Sequence, residues 1–297
     1  MKKKIGGLLI LLAIYLIAVA IGALYFIVLR KFGLNVLLSV LLADVLATIF
    51  VWLTGLIFKT ASVYDPYWSL QTMVIYAFLV SYFNNWNLGT ILVFIPIVLY
   101  SVRLTANFII GFDSLSYVDW RYKMLKEKTG KFYQLVNLFG ICMFPTLVVY
   151  TASIPLMIYA EIGVFSVWNL IGIMVILGGT LLELISDIEM KKFIKNRKDR
   201  SEVINVGLWN YSRHPNYLGE ILVWYGAALI LIISYPSYWY FASGAIINMI
   251  MFLFISIPME EKHMMEYKPG MVDYKKRVSA LLILPNRKTE KNNLNLP

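Results

Sequence analysis

Residues 207–226 read GLWNYSRHPNYLGEILVWYG. An Arg-His pair, an Asn and a Glu stand at the mouth of an apolar run, where polar side chains are costly beside lipid. Pro215 suits the first turn of a helix. Asn216 and Glu220 are then four apart on one face, and Trp224 continues that face. The start of such a helix carries the positive end of its dipole and free N–H groups, a natural anion site. Arg213 and His214 immediately precede it. Arg213 alone reads as a partner for lipid headgroups; Glu220, more than a turn inside the apolar run, reads as functional.

The rest of the chain has the same apolar character. Its 297 residues are 60% hydrophobic, with a mean hydropathy of +0.70, which implies an all-α, polytopic transmembrane helical bundle. Apolar runs near the length of a bilayer crossing fall at about 6–28, 35–57, 67–84, 88–108, 132–159, 163–186, 217–234 and 238–257. That gives about eight spans. Seven is the alternative, because the third run holds YDPYWSLQTM and the last two are short. All Lys and Arg except Arg30 and Lys31 then fall on one face. By the positive-inside rule both termini are expected to be cytoplasmic, in a multi-pass protein of the cell membrane. The net charge of +10 reads as topology and attraction to anionic membrane lipids, and no basic soluble domain offers a nucleic-acid surface. The N-terminus, with AVA at 18–20, resembles a signal peptide, but its apolar run continues to Leu29 and reads as a retained helix. One cysteine, Cys142, and two histidines exclude a disulfide framework and argue against a metal site.

The expected organisation is an N-terminal pair of helices (1–58), a membrane domain (59–286) and a polar tail (287–297). Polarity gathers in four segments: 59–66, 109–131, 187–216 and 258–285. The second, with DSLSYVDWRYKMLKEKTGK, reads as an amphipathic interfacial helix. In LLELISDIEMKKFIKNRK, Glu183, Asp187, Lys191 and Lys195 follow at spacing four. The carboxylates suit ribose or amide donors and the lysines a phosphate, although a solvated helix end would look alike. Tyr100 and Arg103 lie near a span's end, where a tyrosine is either an interfacial anchor or a proton donor to a carbonyl. Asp44 is an intramembrane acid with no obvious partner. Asp65 opens DPYWS and could simply cap its helix. Near the C-terminus, Glu260, Glu261, His263, Tyr267 and Tyr274 could form either an exposed amphipathic stretch or a lid. There is no G-x-G-x-x-G after a strand, no P-loop and no H-E-x-x-H, so any nucleotide must be held by helix ends and loops.

With 207–226 followed by PMEEKHMMEYKPGMVDYKKRVSALLILP, and with SDIEMKKF and VDWRYKML, the chain closely resembles the bacterial steroid 5-alpha-reductase-like membrane proteins over roughly residues 60 to 286. The resemblance implies an NADPH-dependent oxidoreductase that saturates a carbon–carbon double bond conjugated to a ketone in a lipid-like substrate taken from the bilayer. It places Asn216 and Glu220 in the family's N-aromatic-L-G-E segment and Asp187 after the preceding span. It gives Tyr100, of a Tyr-x-x-Arg, to the substrate carbonyl. The steroid enzymes pair that tyrosine with a glutamate; Asp65 is the nearest acid here.

The expected site is therefore catalytic Tyr100 and Asp65, with Asp187, Lys191, Lys195, Arg213, His214, Asn216, Glu220 and Tyr267 on the cofactor. The RHP-N-Y-x-G core and a later Glu-Glu also recur in membrane methyltransferases of the isoprenylcysteine and phospholipid types, which bind S-adenosylmethionine. A non-catalytic lipid-binding or transport protein is the third alternative. Oligomeric state and the identity of the lipid are not encoded in any motif.

Overall fold

A computed structural model describes residues 2–286; the polar tail expected at 287–297 lies outside them. The helices are α1 (Lys2–Lys31), α2 (Val36–Phe58), α3 (Asp65–Tyr82), α4 (Leu88–Gly111), α5 (Trp120–Thr129), α6 (Tyr133–Val136), α7 (Phe144–Ile162), α8 (Asn169–Asn196), α9 (Pro215–Ser234), α10 (Ser243–Met251), α11 (Ile257–Tyr267) and α12 (Met271–Arg277). No strand occurs among the described residues; the one β-bridge, Ser212 with Ser279, is isolated. Seven helical stretches are long and apolar enough to cross a membrane: α1, α2, α4, α8, α9, and the composite stretches Trp120–Ile162 and Pro236–Tyr267. The fold is an all-α, multi-pass membrane bundle.

The local chemistry explains the boundaries. Asn35 caps α2 through Leu38 N, and Asn87 and Thr90 form a reciprocal capping box on α4. Pro66 sits in the first turn of α3. The two composite stretches each contain a π-helical segment, Asn137–Met143 and Phe252–Ser256. Each runs directly into an X-Pro step, Phe144-Pro145 and Ile257-Pro258. Proline removes an N–H and displaces the carbonyl four residues back, and a widened turn accommodates it without ending the helix. The helix within 109–131 is α5, joined to the span that follows, with Tyr122 turned inward.

The chain divides into two compact units, one running to Ile176 and taking up Trp224–Ile247, the other formed by Leu177–Val223 and the chain from Asn248. In the first unit, α3 is more polar than those seven stretches and is not among them. Its 18 residues measure about 27 Å at 1.5 Å per residue, and its contacts show where it runs. At its start Asp65 accepts from Tyr122, and Asp119 N bonds Ser62 Oγ at 3.4 Å. At its far end Tyr82 packs edge-on against Phe26 of α1 at 5.1 Å. The loop that follows is pinned by Asn85 Nδ2 to the carbonyls of Ala160, Glu161 and Gly163, each at 3.2 Å. The third apolar run of the sequence is therefore a polar-cored helix that traverses this unit alongside its neighbours.

Interhelical hydrogen bonds between small polar side chains hold that unit. Thr146 meets both Thr48 (3.0 Å) and Tyr64 (2.8 Å), and Thr72 meets Ser153 (2.7 Å). Such pairs suit a bundle in lipid, where burial of apolar surface between helices gives little drive.

Candidate functional site

The polar centre of the second unit begins where two glycines touch. A Cβ on Gly219 would lie 2.6 Å from Gly179 O and 2.5 Å from Glu183 Cγ. No side chain fits there, so α8 and α9 approach closely. That contact lays Glu183 against the turn carrying Glu220, and both carboxylates are buried. Asp187, one turn beyond Glu183, is half-buried, while Lys191 and Lys195 are exposed at the end of α8. Gly207, which opens the quoted stretch, has φ +57 and covers the Glu189 carboxylate so closely that a Cβ would sit 2.0 Å from Oε1. Glu189 Oε2 accepts from Leu208 N at 2.9 Å. This fixes the loop before α9.

Arg213 and His214 are committed to a carboxylate. Arg213 Nε donates to Glu261 Oε1 at 2.7 Å, and His214 Nε2 lies 3.2 Å from the same oxygen. Lys275 Nζ takes Oε2 at 2.8 Å. Arg213 Nη1 donates to the carbonyls of Lys275, at 3.0 Å, and Val278. Nη2 has no partner among the described residues. The His214 ring stacks on Tyr217, 5.2 Å away and 5° from parallel. The C-terminal segment is laced onto the same motif: Arg213 N to Ser279 O (2.9 Å), Ser212 Oγ to Leu281 O (2.7 Å), Leu284 N to Tyr211 O (3.2 Å), and Tyr274 Oη to Trp209 O. The segment that the sequence left as either an exposed amphipathic stretch or a lid is thus pinned on the motif.

Two carboxamide oxygens in this unit are buried without a hydrogen-bond partner among the described residues: Asn216 Oδ1 and Asn248 Oδ1. Asn248 is only 2% exposed. It stands one turn before Phe252, whose ring packs 4.6 Å from Tyr217 of α9, so it belongs to the face that meets α9. A buried, unmade acceptor costs about 1–3 kcal/mol. Asn248 was not singled out in the sequence, where a lone Asn in SGAIINMIM has no spacing partner. Glu261 was visible there only as one acid in a charged run. Tyr267 is exposed, with Lys268 Nζ 5.7 Å from its ring centre. Burial, then the nearby Arg197, lowers the Lys268 pKa, and burial raises that of Tyr274.

The catalytic candidates fall in the first unit. Tyr100 is buried, its ring edge-on to Trp224 at 5.8 Å and 80°; Arg103, one turn on, is half-buried. Asp65 accepts from Tyr122, and Tyr100 is not among its partners. Asp44 acquires the partners its sequence context did not reveal, Tyr67 Oη at 2.9 Å and Gln71 Nε2 at 2.5 Å. Among the described residues, no group of His, Cys, Asp and Glu could hold a metal ion.

An all-α bundle with seven membrane-length helical stretches and several buried polar side chains is a polytopic membrane protein. Residues 51–279 match the family described as Protein of unknown function (DUF1295), and the chain belongs to that family. It is similar to an uncharacterized protein of Schizosaccharomyces pombe, 24% identical over 255 residues that cover 77% of this chain and 70% of the relative. No solved structure matches the chain.

Proposed function

We propose that this protein is an NADPH-dependent membrane reductase that saturates the double bond of a lipid-like enone. The observation that carries the reading is the pair of orphan oxygens, Asn216 Oδ1 and Asn248 Oδ1, in a unit that also buries Glu183 and Glu220. Two carboxamide acceptors without a donor among the described residues, in a unit that also buries two carboxylates, suit a ligand rich in N–H and O–H groups. The carboxamide and ribose hydroxyls of a nicotinamide nucleotide supply those donors. The phosphate end fits less fully: Arg213 retains only Nη2, and exposed Lys191 and Lys195 supply further charge.

NADPH would provide hydride to the carbon beta to the ketone. The chain's own part is to orient and polarise. Asn216, Asn248 and Glu220 fix the ring amide and ribose, and Asp187 takes a further hydroxyl. Tyr100, buried and edge-on to Trp224, would donate to the ketone oxygen as negative charge develops on it. Asp65, engaged by Tyr122, supports the fold around that tyrosine rather than sharing its proton. The orientation with both termini in the cytoplasm is part of this reading, since it opens the cofactor site to soluble NADPH.

A second reading has its own observation. The tie between Arg213, His214 and Glu261 withdraws both basic side chains from phosphate duty and leaves an acceptor-rich unit, which suits the ammonium of S-adenosylmethionine. Titration of the purified protein with each cofactor separates the two: NADPH binding supports the reductase, S-adenosylmethionine binding alone the methyltransferase.

A further inference from the structure

A cavity of about 120 Å³ lies between α1, α2 and α3 in the first unit. Its walls are almost wholly apolar, and its polar end is Asp44 with Tyr67 and Gln71. Ten of its sixteen lining residues precede residue 51, where the family match begins. The cavity is thus largely a feature of the N-terminal helices. Val19, at its edge on α1, is 41% exposed, so the mouth faces the surroundings of the bundle, which are bilayer for a helix of this composition.

The hydrogen bonds at the polar end leave one group over. Gln71 Nε2 donates to Asp44 Oδ2 (2.5 Å) and to Thr146 O (3.3 Å). Both partners are acceptors, which fixes the amide's orientation and sends Oε1 the other way. That oxygen is buried with no partner among the described residues, in a side chain 5% exposed. Asp44 already accepts from both Tyr67 and Gln71, and no Lys or Arg pairs with it among the described residues. The polar end therefore lacks one donor and tolerates no further negative charge.

We propose that this cavity binds a neutral lipid alcohol, its hydroxyl donating to Gln71 Oε1 and its hydrocarbon leaving past Val19 into the bilayer. A fatty acid or phospholipid phosphate would set an unneutralised anion beside Asp44. An ammonium would have to shed its hydration in an almost wholly apolar cavity to reach Asp44. A dry cavity of about 150 Å³ accommodates benzene, so this one holds a ring or a single isoprenoid unit and the remainder of the chain lies outside. The proposal does not depend on the reductase reading.

The test uses the full chain in phosphatidylcholine nanodiscs, photolabelled with a diazirine-bearing farnesol and mapped by mass spectrometry. Labels should concentrate on α1–α3. Farnesol should compete about tenfold better than farnesyl acetate, which has lost the donor. Gly22→Leu fills the cavity: a Cβ there meets Ala43 O at 3.7 Å and Ala47 Cβ at 3.9 Å, ordinary contacts. It should suppress labelling, and so should Val19→Trp at the mouth, which disturbs no core residue. Gln71→Leu should abolish the preference for alcohol over acetate. Labels spread evenly over the outer helices, or equal competition by alcohol and acetate, would overturn the proposal.

Discussion

Arg213 and His214 meet at a single atom, Oε1 of Glu261, 2.7 and 3.2 Å away, while Lys275 holds the other oxygen. One buried carboxylate balances three basic groups and fastens α11 and α12 to the loop before α9. Removing it strands the Arg213 charge. Glu261→Ala is expected to cost about 3–5 kcal/mol, as when one member of a buried pair is deleted. Denaturant unfolding in mild detergent reads this directly, and an unchanged midpoint would contradict it.

Asn248 makes the opposite prediction for stability. Its Oδ1 is buried and unpartnered, so Asn248→Leu, which keeps the branched four-atom shape, removes an unmade acceptor. Without ligand, the variant should be as stable as the parent or gain about 1 kcal/mol. NADPH affinity should fall about tenfold for one lost hydrogen bond. A variant that melts early and binds NADPH normally would show that Asn248 belongs to the scaffold.

Glu220 separates ligand from packing by a conservative change. Glu220→Gln keeps the shape and exchanges an acceptor-only group for one that also donates. Loss of a charge-assisted bond to the cofactor, worth roughly 1.5–3 kcal/mol, predicts about a ten- to hundredfold weaker NADPH affinity on an intact fold. If Glu220 only ties helices together, binding is unchanged.

The membrane architecture was legible in the sequence because apolar runs of bilayer length have few other uses. The difficult run was 67–84. Its polar residues, Ser69, Gln71 and Thr72, argue against a lipid-facing helix but are bonded to Thr105, Asp44 and Ser153 inside the unit. Asp44 looked isolated for the same reason: Gln71 is 27 residues away, and nothing in local spacing joins them. Arg213 and His214 stood out on the page, yet their partner, Glu261, lies 48 and 47 positions on. Sequence showed which groups were chemically unusual. Pairing across helices decided which were already satisfied, and so shifted attention from Arg213 and His214 to Asn216 and Asn248.

The topology has its own check. The loops after α3, α7 and α9 meet in the first unit, where Asn85 reaches Ala160 and Glu161, and Tyr235 reaches Ile162 O at 2.7 Å, and Phe26, near the end of α1, packs on Tyr82 at the end of α3. Cysteines introduced near Lys31, Trp86, Glu161 and Tyr235 should therefore label together from outside intact cells, and those near Lys128, Lys198 and Lys276 should stay protected, as the positive-inside rule requires. Protection at Glu161 with labelling at Lys198 would place the polar centre on the wrong face for a cytoplasmic cofactor.

The most direct test of the central claim is a calorimetric titration of the purified full chain in nanodiscs with NADPH and, separately, S-adenosylmethionine. The account predicts saturable NADPH binding that is weakened in both Glu220→Gln and Asn248→Leu, with no binding of S-adenosylmethionine. Saturable S-adenosylmethionine binding without any NADPH binding would contradict it.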